Sequence, residues 1–502
     1  MCAIKIGWAK RDISTTEPVN INGQMYLRIS EGIHDPIMTT ALVLDGGEGQ
    51  DAAIFVSCDV TSIVLEALRA VQEKVPQRNP EIPWKNIVLN ATHTHASSAT
   101  FDTAEKSPDG RDIYPGAKYR EFYVDQIVDA VCEAWENRKP GGIAYGYGYA
   151  VVGHSRRTIY SVDQGAANPL SAAPNGFGVM YGNTKKDSFS HYEAGADHFV
   201  NAMFTVDENE KVTGVVVNVP CPSQISEHFT KLSSDYWNEV RQGVEAEFGP
   251  GVYVLTQCAA AGDLSPRTLH YKEAQARRME LKYDLPYDPE GSMAQYNKVM
   301  GERYDIAERI LEALKDIWSW AKKDIQTAPV VRHSCEDVYL PLRKITDEEK
   351  QWCLDNIKAL EERLPDPNTC TPEQYRKAMS NYTSIRNRNL RAVDRYDSVR
   401  KEPTMDCTIH VTQVGEIAFA TNPFELYMDF MHRIQARSPF IQTFITQLAG
   451  DGGACYVPTE RGEANKGYSA SIFCNAVGSD GGQALVEYTL NKLNELKGKD
   501  EV

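Results

Sequence analysis

Short apolar runs alternate with amphipathic segments through the first half of the chain, and this alternation restricts the fold more than any other feature. Thr40–Leu44, Ala52–Cys58, Asn86–Asn90, Gly142–Tyr149, Val212–Val219 and Val252–Gln257 read as strands. Between them, Ser62–Lys74, Tyr119–Asn137 and Asp235–Phe248 repeat apolar residues at three- and four-residue intervals and read as helices, the last capped by Asp235. Strands interleaved with amphipathic helices imply an α/β (α+β) fold of mixed sheets covered by helices.

The second half changes character. Residues 273–321 are strongly helical in pattern, and after a short apolar segment, Asp337–Leu342, a second charged helical stretch spans Thr346–Arg400. That stretch reads as an insert outside the main core. Cys407–Val414 and Glu416–Ala420 then flank Gly415 as a hairpin, and a helix over Gly481–Leu496 closes a single domain of residues 1–502.

Composition excludes some functions. With 69 acidic against 53 basic residues the net charge is -16, spread along the chain, which repels nucleic acid and anionic lipid. No run approaches the eighteen apolar residues of a membrane-spanning helix. The 11 cysteines lack paired spacing and suit reduced thiols. A cytoplasmic protein, or an exported one whose leader has been removed, is the expected location, with a small molecule as the partner.

The residues that carry chemistry are scattered. Thr92, His93, Thr94 and His95 follow the apolar run Ile87–Leu89, and two histidines at i and i+2 on a strand share a face, as a metal pair would. Gly262, Asp263, Leu264, Ser265 and Pro266 follow a buried-looking strand; small residues there admit a ligand, and Ser265 can attack, donate a hydrogen bond or do neither. Asn422, Pro423, Phe424 and Glu425 follow the hairpin, and Cys455, Tyr456, Val457, Pro458 and Thr459 follow the glycine-rich run 450–453. Gln24, Tyr26, Asp451 and Tyr468 lie in polar, glycine-flanked segments that can line a pocket.

Taken in order, the Thr-His-Thr-His motif, Arg156 after a polar turn, Gly-Asp-Leu-Ser-Pro, Pro-Phe-Glu and Tyr-Val-Pro-Thr resemble the catalytic domain of the neutral/alkaline (non-lysosomal) ceramidase family. Gly32, Ile33, His34, Asp35 and Pro36 match its opening pattern, and the resemblance covers nearly the whole chain. It implies one zinc ion held by His93, by position 221, by Glu425 and by Tyr456, with His95, Arg156 and Ser265 around the scissile group. Such a ligand set requires its members to lie within about 6 Å of one another.

Two departures stand out. The family has histidine then proline where this chain has Cys221 and Pro222, so a thiolate is the expected second ligand, and it weakens the metal as a Lewis acid. The larger family members carry a C-terminal β-sandwich for which no residues are left, which argues against bilayer docking. The resemblance implies an amide (N-acyl) hydrolase working through metal-activated water, in which Arg156, His95 and Tyr456 stabilise an oxyanion or move a proton. A metal-dependent hydrolase or lyase acting on a glycoside or other polar small molecule, and an inactive scaffold, are the alternatives.

Overall fold

The computed structural model describes residues 3–164, 176–284, 292–450 and 455–498. An eight-stranded sheet runs, edge to edge, Tyr253–Cys258, Val212–Val219, Phe199–Asp207, Lys139–Tyr149, Lys5–Asp12, Met38–Asp45, Ala52–Cys58 and Ile87–Ala91. The outermost pair at each edge is parallel and the pairs between are antiparallel. A second sheet orders Val331–Pro341, Thr404–Val414, Ile417–Thr421 and Gln442–Thr446, the last two parallel.

Side-chain alternation explains why the two sheets stack. Leu42, Leu44, Ala53, Phe55, Val88 and Val216 pack with Ile417, Phe419 and Phe444 between the sheets, with Phe55 and Phe419 ring centroids 4.9 Å apart. Their neighbours in sequence face the other way. Ala41, Val43, Ile54 and Val56 meet the helices Leu65–Arg78 and Gly116–Glu136. Val215, Val217 and Val219 meet Trp237–Phe248 and Ser292–Ala321. On the far side of the small sheet, Ala418 and Ala420 meet Met428–Arg437 and Ser479–Gly498. The result is four layers, helix–sheet–sheet–helix, which is why the strands are apolar on both faces. Burying one such phenylalanine contributes about 2–3 kcal/mol.

The expected strands are all present, with ends shifted by up to three residues, and Gly415–Glu416 turns the hairpin. Asp235 does not cap its helix: it sits at φ 59° and its carboxylate accepts from the backbone N–H groups of Tyr236 and Ser226, while the helix starts at Trp237 without a side-chain cap. The apolar segment at 337–342 belongs to the longer strand Val331–Pro341. The helical stretch of 273–321 divides into Lys272–Tyr283 and Ser292–Ala321.

The insert is a pair of packed helices, Asp347–Glu361 and Pro372–Ser398, each begun by a threonine capping box, at Thr346 and Thr371. It holds one small apolar cluster of its own, around Leu360, Tyr382 and Ile385, and shares another, around Cys353 and Ala392, with Ile472 of the main body. Among the described residues no helix is long and apolar enough to cross a membrane, and no disulfide joins the described cysteines.

At the edges where strands run parallel, their carboxyl ends lie side by side. The chain leaves Ile87–Ala91 toward His93, Val212–Val219 toward Gln224, Tyr253–Cys258 toward Gly262, and Ile417–Thr421 toward Glu425. A bridge between Asn90 and Ala449 and the bond from Gln447 N to Cys258 O (3.0 Å) hold these ends together. Crevices at the carboxyl ends of parallel strands are where open sheets bind ligands.

Candidate functional site

A cavity of about 550 Å³ opens over these strand ends, lined among others by His93, His95, Arg156, Gln224, Glu425 and Tyr456. The two histidines do meet, though not on a strand as their spacing suggests. The strand stops at Ala91, and His93 takes the left-handed conformation at φ 61°, which costs a non-glycine residue roughly 1 kcal/mol. Its backbone N–H donates to Val60 O and its Nδ1 donates to Thr61 O at 2.6 Å. A carbonyl only accepts, so Nδ1 bears a proton, and Nε2 is the nitrogen that faces the cavity group.

That Nε2 lies 3.3 Å from Glu425 Oε2 and 3.3 Å from His95 Nε2. Gln224 fixes the state of His95. Its Oε1 accepts from Tyr181 OH (3.3 Å) and Arg156 Nη1 (3.5 Å), so its amide nitrogen is what faces His95 Nε2 at 2.9 Å. The His95 lone pair is therefore taken, and its ring has no Nε2 proton to offer His93. Burial, then the neighbouring His93, holds the His95 pKa well below its ordinary value, so the ring is neutral at pH 7.

Glu425 and Tyr456 come together by backbone pairing. The two-residue strands Glu425–Leu426 and Tyr456–Val457 are parallel with Glu425 opposite Tyr456, and Glu425 N donates to Cys455 O at 2.9 Å. Arg156, fully buried, donates through Nη2 to Tyr456 OH (3.2 Å) and Gly262 O (2.9 Å), and lies 3.7 Å from Glu425 Oε2. The Gly-Asp motif holds this frame. Gly262 N donates to Leu426 O, Arg156 N donates to Asp263 O, and a Cβ on Gly262 would stand 2.3 Å from Glu425 O. Gly23 serves likewise, its missing Cβ making room for the His95 ring at 2.4 Å.

The ionisable groups of this cluster shift one another. Burial alone would raise the Glu425 carboxyl, but His93, Arg156 and the Tyr456 hydroxyl hold it below the usual range. Burial, then Glu425, pushes the Tyr456 phenol well up. Arg156 keeps its proton against burial because Tyr456, Tyr181 and Glu425 surround it. His93 Nε2 and Glu425 Oε2 thus face each other across one point. Two bonds of about 2 Å at a tetrahedral angle put donor atoms about 3.3 Å apart, which the His93–Glu425 spacing matches. His93 Nε2, Glu425 Oε2 and the Tyr456 oxygen could hold a metal, and the described residues offer no cluster of three His, Cys, Asp or Glu side chains.

Two expected members stand apart from this group. Cys221 does not line the cavity: it packs in the apolar cluster of Val219, Ile225 and Tyr236, and its Sγ contacts Pro222 O at 3.5 Å. Burial, then Cys258 and Asp235, raises its thiol well above the ordinary value, which opposes a thiolate. Ser265 is also off the cavity, pairs with His154 in a two-strand ladder, and its Oγ accepts from Arg267 N at 3.2 Å. Its backbone role explains the motif without a nucleophile.

Gln24 and Tyr468 line the cavity. Tyr26 sits outside it, its OH 3.3 Å from His228 and its ring under Lys377, and Asp451 lies outside the described residues. Sequence reasoning missed Gln224, Glu227, Tyr181, Arg388 and Arg391. Gln224, three residues beyond Cys221, was within reach of it; arginines in a charged helix look like solvated ones.

No protein-family model and no curated protein matches the sequence. Solved structures do: the fold is that of the neutral ceramidases. Neutral ceramidase from Pseudomonas aeruginosa is similar with a TM-score of 0.65 and 16% identity, over 99% of this chain and 75% of that one. A structure described as ceramidase complexed with C2 is similar with a TM-score of 0.62 and 15% identity, over 99% and 76%.

Proposed function

We propose that this chain is a hydrolase of amide (N-acyl) bonds whose reaction takes place at His93, His95, Arg156, Glu425 and Tyr456. The observation that carries the reading is the 3.3 Å convergence of His93 Nε2 and Glu425 Oε2, beside a buried cationic Arg156. The neutral ceramidase fold supports it. A zinc ion would be held here by His93, Glu425 and Tyr456, and would supply Lewis acidity toward the amide carbonyl and the attacking water.

The side chains account for the remaining steps. The Arg156 charge stabilises the oxyanion that develops on the carbonyl oxygen, and removal of one such donor costs about 10²–10³ in rate. Burial keeps His95 neutral and Gln224 orients its ring; the ring takes a proton from water at Nε2 when the Gln224 N–H releases that lone pair. Glu227, fixed by Arg267 and by Gln24 Nε2 at 3.0 Å, stands 3.7 Å from His95 Nδ1 and stabilises the ring once it is charged. Ser265 has no part in bond making.

The test joins metal content to turnover. Purified protein is expected to hold about one zinc per chain, lost in Glu425→Ala, and to release fatty acid from N-acyl substrates but no sugar from aryl glycosides. Protein without metal, or sugar release in place of fatty acid, rejects this reading.

A further inference from the structure

Five charged groups on the cavity wall fall into two kinds. Arg156 is offset by Glu425, and Glu227 is paired with Arg267. Arg388 and Arg391 are different. They lie three residues apart on the helix Pro372–Ser398, and so on one side of it, and both line the cavity. Arg388 stacks over the Tyr468 ring at 5.1 Å and donates to Cys474 Sγ at 3.7 Å. Among the described residues neither arginine is paired with a carboxylate, whereas Arg376, Arg386 and Arg400 of the same segment pair with Asp109, Glu361 and Asp347.

In a chain of net charge -16, two arginines that line the cavity and pair with no carboxylate amount to a local reversal of sign. Burial, then repulsion from Arg388, lowers the Arg391 pKa, so an incoming anion relieves like-charge crowding. The position matters as much as the charge. Tyr468 lies between Arg388 and Tyr456, its ring 6.0 Å from that of Tyr456, so the arginines stand one ring beyond the proposed reacting centre. Met25, Met180 and Phe473 supply apolar wall for an acyl chain.

We propose that Arg388 and Arg391 bind an oxyanion on the substrate, so that the amide cleaved is an N-acyl compound whose amine part carries a carboxylate, sulfonate or phosphate. This rests on the hydrolase reading above. A guanidinium fork matches such groups in two-point contact.

The test compares full-length wild type with Arg388→Gln/Arg391→Gln on N-lauroylglycine, N-lauroyltaurine and neutral N-lauroylethanolamine, with thermal melting to confirm that the variant folds. Wild type is expected to prefer an acidic substrate, and the variant to lose about 100-fold of that preference, carried by KM. Which acid is preferred tells carboxylate from sulfonate, and inhibition by dodecyl phosphate reports on phosphate. An unchanged preference, or a wild-type preference for the neutral amide, overturns the proposal. If no amide is cleaved, calorimetry with N-lauroylglycine decides: binding that the double variant loses supports the anion site while the hydrolase reading fails, and no binding by wild type rejects both.

Discussion

The floor of the cavity and its wall are built by different means. The floor is strand ends: His93, Glu425, Tyr456 and Arg156 are buried and tied by backbone pairing and by Gly262. The wall that carries Arg388 and Arg391 is a helix pair with a small cluster of its own, joined to the body by a second cluster shared with Ile472 and by contacts such as Leu27 N to Ser380 Oγ at 2.9 Å. Groups that must hold about half an ångström belong on the rigid part. Groups that select among substrates can sit on an appended one, where substitution disturbs no sheet.

Five substitutions sharpen or break this contrast, beginning with the largest expected effect. Glu425→Gln strikes the floor and is expected to lower kcat by at least about 10³-fold with loss of bound metal, read by turnover and elemental analysis. Gly262→Ala drives a Cβ to 2.3 Å from Glu425 O, and since backbone has to give, a loss of about 10²-fold in kcat together with a lower Tm is expected.

Asp263 offers a test by pH. Burial lifts its carboxyl to about 6, above its unfolded value of 3.8, so the folded state binds the proton more tightly. The stability this brings is full below pH 3.8 and is lost as pH rises through about 6. Asp263→Asn keeps an acceptor for Met428 N and is expected to remove that slope, gaining up to about 3 kcal/mol at pH 7 in denaturant titrations at pH 4 and 7. A slope that persists in the variant assigns it to another group.

On the wall, Ile385→Ala empties part of a small cluster and is expected to cost about 2 kcal/mol. Steady-state kinetics should show KM rising several-fold with kcat little altered, whereas a collapse of kcat would mean that floor and wall are one unit. Smallest of all, Cys221→Ala is expected to cost about 1 kcal/mol and leave metal content unchanged. Metal lost in that variant would restore the thiol as a ligand.

Much of the floor was legible in the sequence because strands buried on two faces announce themselves as apolar runs, and the motifs follow directly where those runs end. His93 and His95 were found for an incomplete reason: i, i+2 spacing gives a shared face only on a strand, and here a left-handed turn at His93 brings the rings together. Cys221 and Ser265 were read from their neighbours in a motif, but which way a side chain turns beyond a strand end is set by packing that no local pattern records. Tyr236 and Ile225 bury the thiol, and the ladder with His154 buries the hydroxyl. Arg388 and Arg391 were invisible since an unpaired charge is defined by what surrounds it.

The pairing of Glu425 with Tyr456 reaches beyond this one protein. Because adjacent strands set the distance between carboxylate and phenol, about 4.8 Å from backbone to backbone, the helix and strand that separate them in the chain have no say in it. That intervening stretch is free to lengthen, shorten or take on new decoration between descendants of a common ancestor while the two oxygens stay in step.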